Sequence, residues 1–200
     1  MIKAITLTLL AAIFLLVASC SYDNNDSATP PIVPTEIPTA AVQPGTMLVS
    51  ELLSIVNDFL EFTEGWELGV EYAEVWDDVN HNELIYVFDY GDFEIVLFAD
   101  MDSDTFKYGY LRTRNTIMEF NTLLEVASIA GAFLKALEPN EYSDMLVEIL
   151  GFEDLDIDEN VEFFDLREIA RISIGEVWGM MFHEGRLFNI FPKEDAVYFQ

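Results

Sequence analysis

The apolar residues of this chain change their period along its length, and that change limits the folds open to it. From Met47 to Phe62 they fall at Leu48, Leu52, Ile55, Val56, Phe59 and Leu60, the stripe of an amphipathic helix. Pro44, Gly45 and Thr46 precede this segment and Gly65 follows it, as start and stop signals. The period then drops to two. Trp66, Leu68, Val70 and Tyr72 alternate with Glu67, Gly69, Glu71 and Ala73, which predicts a half-buried strand. Further strands are predicted over Glu83–Tyr90, Asp92–Asp100 and Thr105–Arg112, set apart by Asn, Gly and Asp turns. Connections this short require antiparallel neighbours.

A second helical region begins near Asn115, where Thr116 and Glu119 have the spacing of a capping box. Its apolar residues run all round the helix, from Ile117 and Phe120 to Leu134 and Leu137. Such a helix is buried or spans a membrane, and the charges of Glu119, Glu125 and Lys135 favour burial. Ala127, Ala130 and Gly131 would let it lie close to a sheet. Pro139-Asn140 opens a third helix that ends at Gly151; an acidic loop follows, then strands from about Val161 onward. The fold class predicted is α+β, an antiparallel sheet backed by helices.

A repeat is visible in rare residues. Glu74-Val75-Trp76 is followed by His81, and Glu176-Val177-Trp178 by His183, with equal spacing from Glu to His. With one inserted residue, Leu84-Ile85-Tyr86-Val87-Phe88 aligns with Leu187-Phe188-Asn189-Ile190-Phe191. Leu68, Val70 and Tyr72 align in turn with Ala170, Ile172 and Ile174. The period is too long for a solenoid. It predicts a degenerate duplication of a helix-plus-antiparallel-strands unit, with halves at about 46–112 and 115–200. This layout resembles that of the β-lactamase inhibitory proteins, in arrangement and not in any residue motif.

The amino-terminal segment sets the compartment. Lys3 is followed by a 14-residue apolar run from Ala4 to Val17, broken only by Thr6 and Thr8. That is too short to cross a bilayer and the right length for the core of a signal peptide. Ala18 and Ser19 come next, then Cys20, the one cysteine of the chain. Val17-Ala18-Ser19-Cys20 resembles the lipobox of bacterial lipoproteins. The resemblance implies cleavage before Cys20, lipidation of its sulfur and a place on the extracytoplasmic side of the envelope. Ser21 rather than Asp after the cysteine implies the outer membrane in a cell with two. More than one acyl chain would hold the protein stably at the membrane. A lipidated Cys20 leaves no thiol for a disulfide, a nucleophile or a zinc site.

Residues 20–45 then read as a tether. Asn, Asp, Ser and Thr give way to Pro30, Pro31, Pro34, Pro38 and Pro44, with no apolar period to order the backbone. Proline-rich chain extends at about 3.1 Å per residue. Residues 46–200 form one domain of ordinary size.

Charge excludes some partners. The chain carries 37 acidic against 9 basic residues, for a formal net charge of −28. Signal cleavage would remove Lys3 and no acid. Such a surface repels nucleic acid and anionic headgroups, and suits solubility, a cationic partner or loosely held divalent cations.

Three constellations bear on chemistry. Glu74, Trp76 and His81, with their counterparts Glu176, Trp178 and His183, would make one ligand or metal cluster in each half. The plainer expectation is that both histidines lie in hairpin turns and each Trp packs its hairpin. His183-Glu184 is not a zincin motif, since Leu187 stands where its second His belongs. Asp100, Asp102 and Asp104 have the opening spacing of a calcium loop, but Thr105 replaces the required Gly and Leu111 the closing Glu. An acidic turn is expected there, and a solvated loop at Glu153, Asp154, Asp156, Asp158 and Glu159. Phe106, Tyr108 and Tyr110 form an alternating aromatic stripe, read chiefly as a core face and secondarily as a binding face.

No nucleophile elbow or phosphate-binding glycine loop is present, so no catalytic residue, metal or cofactor is assigned. The leading expectation is a lipid-anchored envelope protein whose non-catalytic acidic domain binds a protein partner, in one version as an inhibitor. The alternative is a small-molecule or divalent-cation binding module; an envelope hydrolase is the weakest reading. Cys20 is the one site residue assigned, for lipidation.

Overall fold

The computed structural model describes residues 38–60, 68–114, 117–150, 163–165, 170–183 and 187–198. Cys20, the signal segment and the acidic run at 153–159 lie outside them.

The first helix, α1, spans Val49–Leu60. The Leu48 amide donates to the Glu51 carboxylate at 3.2 Å, so an acid sits where the first-turn amides point. Val49, Leu52, Leu53, Ile55, Val56 and Leu60 are buried. Each such side chain is worth roughly 1.5–3 kcal/mol in removed apolar surface. Asn57 then holds the chain after the helix. Its amide donates to the Leu68 carbonyl, and its oxygen accepts from the Leu68 amide at 2.7 Å. This pins Leu68 into the core, and the chain turns as a 3₁₀ helix over Val70–Tyr72. The strand predicted around Leu68–Tyr72 is therefore absent from this stretch. Its alternation reflects one anchored leucine followed by exposed Val70 and Tyr72.

The strands are β1 Glu74–Asp78, β2 Glu83–Asp89, β3 Phe93–Asp100 and β4 Phe106–Thr113. A short β5, Ile117–Glu119, leads into α2, Phe120–Leu137, and then α3, Tyr142–Leu150. Glu119 thus sits in a strand, paired with Phe163 of β6, Phe163–Asp165, and the helix starts at Phe120, three residues after the Ile117 that a Thr116–Glu119 capping box would make its first. The chain continues through β7 Ala170–Ile174, β8 Trp178–His183 and β9 Leu187–Pro192, and a final 3₁₀ helix covers Lys193–Tyr198. No helix among the described residues is long and apolar enough to cross a membrane.

Among the described residues, seven strands form one antiparallel sheet in the order β1-β2-β3-β4-β9-β8-β7, and β5 pairs with β6 apart from it. The architecture is the α+β arrangement expected, an antiparallel sheet accompanied by helices. Each half supplies helix and then a meander, and each meander ends on a central strand, β4 or β9. That order makes β8 the counterpart of β3. The Glu-Val-Trp echo would instead equate β8 with β1.

One face of the sheet meets the helices. Phe88, Phe93, Ile95, Leu97, Phe106, Leu111, Trp178, Met180, Phe188 and Ile190 join the buried side chains of α1, α2 and α3 in one core. Trp178 stacks on Phe106 with ring centroids 5.3 Å apart. Its indole N–H needs an acceptor once buried, and it donates to the Val42 carbonyl at 2.5 Å. The Val42 amide donates in turn to the Leu137 carbonyl at 2.9 Å. The folded unit thus takes in a residue that composition assigns to the tether.

Glu138, just past α2, is 1% exposed. Its carboxylate accepts from the amides of Val177 and Trp178, both at 2.5 Å, and so caps the turn into β8. Gly175 makes that approach possible, because a Cβ there would stand 3.0 Å from the Glu138 carboxyl carbon and 2.8 Å from Met145 Sδ.

Candidate functional site

The face of the sheet away from the helices is the candidate. Successive strand residues alternate between faces, so register alone places its side chains. One row runs across all seven strands: Glu74, Val87, Val96, Tyr110, Asn189, Met181 and Ile172. Beside it runs a shorter row of Trp76, Ile85, Phe98 and Tyr108. Phe98 stacks on Tyr108 at 4.4 Å between centroids and tilts toward Tyr110 at 6.1 Å. Val96 is buried beneath its neighbours, whereas Ile85, Phe98, Tyr108, Tyr110, Met181 and Ile172 stay partly exposed. Trp76 is 60% exposed. Phe191 closes the far side, lying over Gly179, where a Cβ would stand 2.5 Å from the ring.

A β-bulge builds the aromatic row. The β3–β4 register shifts between Phe98 and Ala99, so that Phe98 faces Tyr108 while Ala99 faces Phe106. Lys107 is the extra residue. One inserted residue sends everything beyond it to the opposite face. The predicted stripe is therefore split: Phe106 enters the core, and Tyr108 and Tyr110 go to the outer face. The bulge also brings two consecutive side chains to one acid. Lys107 Nζ lies 2.6 Å from Glu83 Oε1, and the Tyr108 hydroxyl donates to Glu83 Oε2 at 3.1 Å.

That acid needs them. Asp78, Glu83 and Asp100 face one another across three strands, and like charges opposite each other destabilise a sheet. Lys107 offsets the middle member. At the other margin Arg112 pairs with Glu94 at 2.5 Å and Arg114 with Asp89 at 2.6 Å. The aromatic patch thus lies between ion pairs. Burial, reinforced by Glu83, pushes the Tyr108 hydroxyl well above its ordinary range, and burial raises Tyr110 as well. Both phenols are neutral at physiological pH and able to donate hydrogen bonds.

The Trp–His–Glu clusters are not assembled. Trp76 points to the outer face and His81 sits in the β1–β2 turn, where its Nδ1 lies 2.8 Å from Asp78 Oδ2. Trp178 points into the core, Glu176 is exposed, and His183 is an exposed residue of β8 itself. The expectation of two turn histidines holds for His81 and fails for His183. Trp76 does not pack its hairpin into a core as expected; it stands at the sheet margin.

Asp100, Asp102 and Asp104 do not converge either. Asp100 Oδ1 accepts from the Asp102 and Ser103 amides, both at 3.1 Å, and from the Ser103 hydroxyl at 2.9 Å. Asn82 donates to Asp102 at 3.2 Å. Asp104, with φ 56°, accepts from the Tyr86 hydroxyl at 2.6 Å. Burial and that carboxylate raise Tyr86 to about 12. These acids shape the β3–β4 connection. Among the described residues no group of three or more His, Asp or Glu side chains is placed to hold a metal ion.

Sequence reasoning passed over Phe98 and Glu138. A signal existed for Phe98, because Ile95-Val96-Leu97-Phe98 is apolar on both faces of its strand. For Glu138 none existed among so many acids. Searches against family models, curated proteins and solved structures found no significant match to this chain.

Proposed function

We propose that this chain is a lipid-anchored protein of the bacterial envelope whose acidic domain binds a protein partner through the outer face of its sheet. The observation that carries this reading is the patch of Trp76, Phe98, Tyr108 and Tyr110, rigid aromatic side chains left partly or largely exposed on one face. Trp and Tyr are enriched among residues that dominate binding energy, because they cover much area at low entropic cost. The ion pairs around them form the polar rim such a contact needs. The domain acts by binding and not by catalysis. Cys20 anchors it on the extracytoplasmic side, and the proline-rich tether gives it reach.

The test is photocrosslinking in intact cells from Tyr110 and, as control, from exposed Glu194. One protein captured from Tyr110 and not from Glu194, and lost in the Tyr108→Ser, Phe98→Ser variant, is the expected result. Equal capture from both positions would end the reading. Cys20→Ser should release the chain from the membrane fraction.

A further inference from the structure

The sheet has two outer strands, and they are treated differently. β7 is tied to the helices, where the Ser173 hydroxyl donates to Glu148 of α3 at 2.5 Å. β1 pairs with β2 on one side and, among the described residues, with no strand on the other. Around it Tyr72, Val75, Trp76 and Val79 are all exposed, Val79 at 78%. A bare edge presents unpaired backbone donors and acceptors to any extended chain, and proteins blunt it with charged side chains, lysine above all, or with proline, a bulge or a short strand. β1 has no lysine, proline or bulge and is guarded by acids alone, which repel an acidic strand and admit a cationic one. Its charges are Glu74, Asp77 and Asp78, and no Lys or Arg occurs between Lys3 and Lys107.

We propose that β1 is a docking edge that takes an extended, Lys/Arg-rich segment of a partner protein as an additional strand. The inference rests on the partner-binding reading and specifies its chemistry. Backbone pairing would supply affinity, and alternate side chains specificity. Glu74 and Asp78 lie with Trp76 on the outer face and Asp77 on the other, so cations on either side of the added strand find a carboxylate. Trp76 also offers an exposed ring to a guanidinium or ammonium. A second copy of this chain is the poorer occupant. Two β1 strands paired antiparallel about Trp76 would set Glu74 directly against Asp78, acid against acid. The added strand would extend the row of Trp76, Phe98 and Tyr108, joining edge and face in one surface.

The test uses the full-length chain in detergent and a synthetic peptide of alternating Lys and Val, about six residues long. The peptide should slow amide exchange across residues 74–78, and a Glu/Val peptide should not. Glu74→Lys with Asp77→Lys, checked for an unchanged melting transition, should weaken binding by about tenfold or more, as should high salt. If that variant melts early, Trp76→Ser with the same readout replaces it. Equal protection by the Glu/Val peptide, protection elsewhere, or a concentration-dependent dimer protected at β1 would overturn the proposal. Partner crosslinks at Tyr110 with β1 exchange unchanged would sink the edge and spare the face. Peptide protection of β1 without any partner captured in cells would do the reverse.

Discussion

The two hairpins that carry Glu-Val-Trp share a motif and differ in almost everything else. In the first, Asp77-Asp78-Val79-Asn80 follows the Trp, and Asp78 Oδ1 accepts from the amides of Asn80 and His81 at 3.1 and 3.3 Å. The strand ends there, and Asn82 takes φ 54° in the turn. In the second, Gly179-Met180-Met181-Phe182 follows, with nothing to break a strand, and β8 runs on to His183. The first Trp therefore sits on a short outermost strand and faces away from the helices. The second begins a strand that lies one place in from the edge and faces them. Burial is decided by strand order and by which face the helices cover, and a shared tripeptide encodes neither.

Four measurements put this contrast to the test. The largest effect belongs to Trp178→Ala, which loses the Phe106 stacking and the bond to Val42. It should cost about 3–5 kcal/mol in denaturant unfolding. A loss below about 1 kcal/mol would mean the second Trp is no more structural than the first.

Glu138→Ala comes next. It strips the acceptor from two amides at a site where water cannot replace it, and should cost about 3 kcal/mol. Glu138→Gln keeps one acceptor oxygen and should recover part of that. If alanine and glutamine are equally mild, the β8 turn is not held by this carboxylate.

The first hairpin should instead report on pH. The hydrogen bond that His81 donates to the Asp78 carboxylate raises the imidazole above its ordinary value of 6.5. The bond to His81 likewise lowers Asp78 below 3.8. Since the folded state holds the His81 proton more tightly, the pair's contribution is fully present below pH 6.5 and fades as pH rises through the raised value. It is lost again at acid pH, as Asp78 protonates on falling through its lowered value. Titration of the His81 ring by NMR should show its pKa drop toward the ordinary value in Asp78→Asn; no change would remove the pair from the account. The smallest effect is that of Trp76→Ser, at most about 0.5 kcal/mol on stability, since its ring is mostly in water. A larger loss would show that Trp76 is a packing residue, and the docking edge would lose its anchor.

Much of the fold is legible in the chain. The stripe at Leu52, Ile55, Val56 and Leu60 marks α1, and the strands predicted near residues 83–112 match β2, β3 and β4 within about two residues at their ends. Less of the site is. The alternation of Phe106, Tyr108 and Tyr110 implies one shared face, and the bulge at Lys107 breaks it, because the extra residue is defined only by the partner strand. The short acidic β1 gives no apolar alternation, so its existence rests on pairing with β2. Leu68–Tyr72 shows the converse, a period of two that Asn57 overrides.

The class follows from the chain read locally: where apolar periods of helix and strand lie, how short the connections between strands are, and how large the excess of acid is. These are local properties, readable because backbone geometry imposes its period on neighbouring residues. Which Trp is buried, which aromatic residues reach the surface and which strand ends the sheet are set by long-range packing. Those outcomes depend on residues far apart in the chain, and the energy separating a covered face from an open one exists only once the helices have settled on one side.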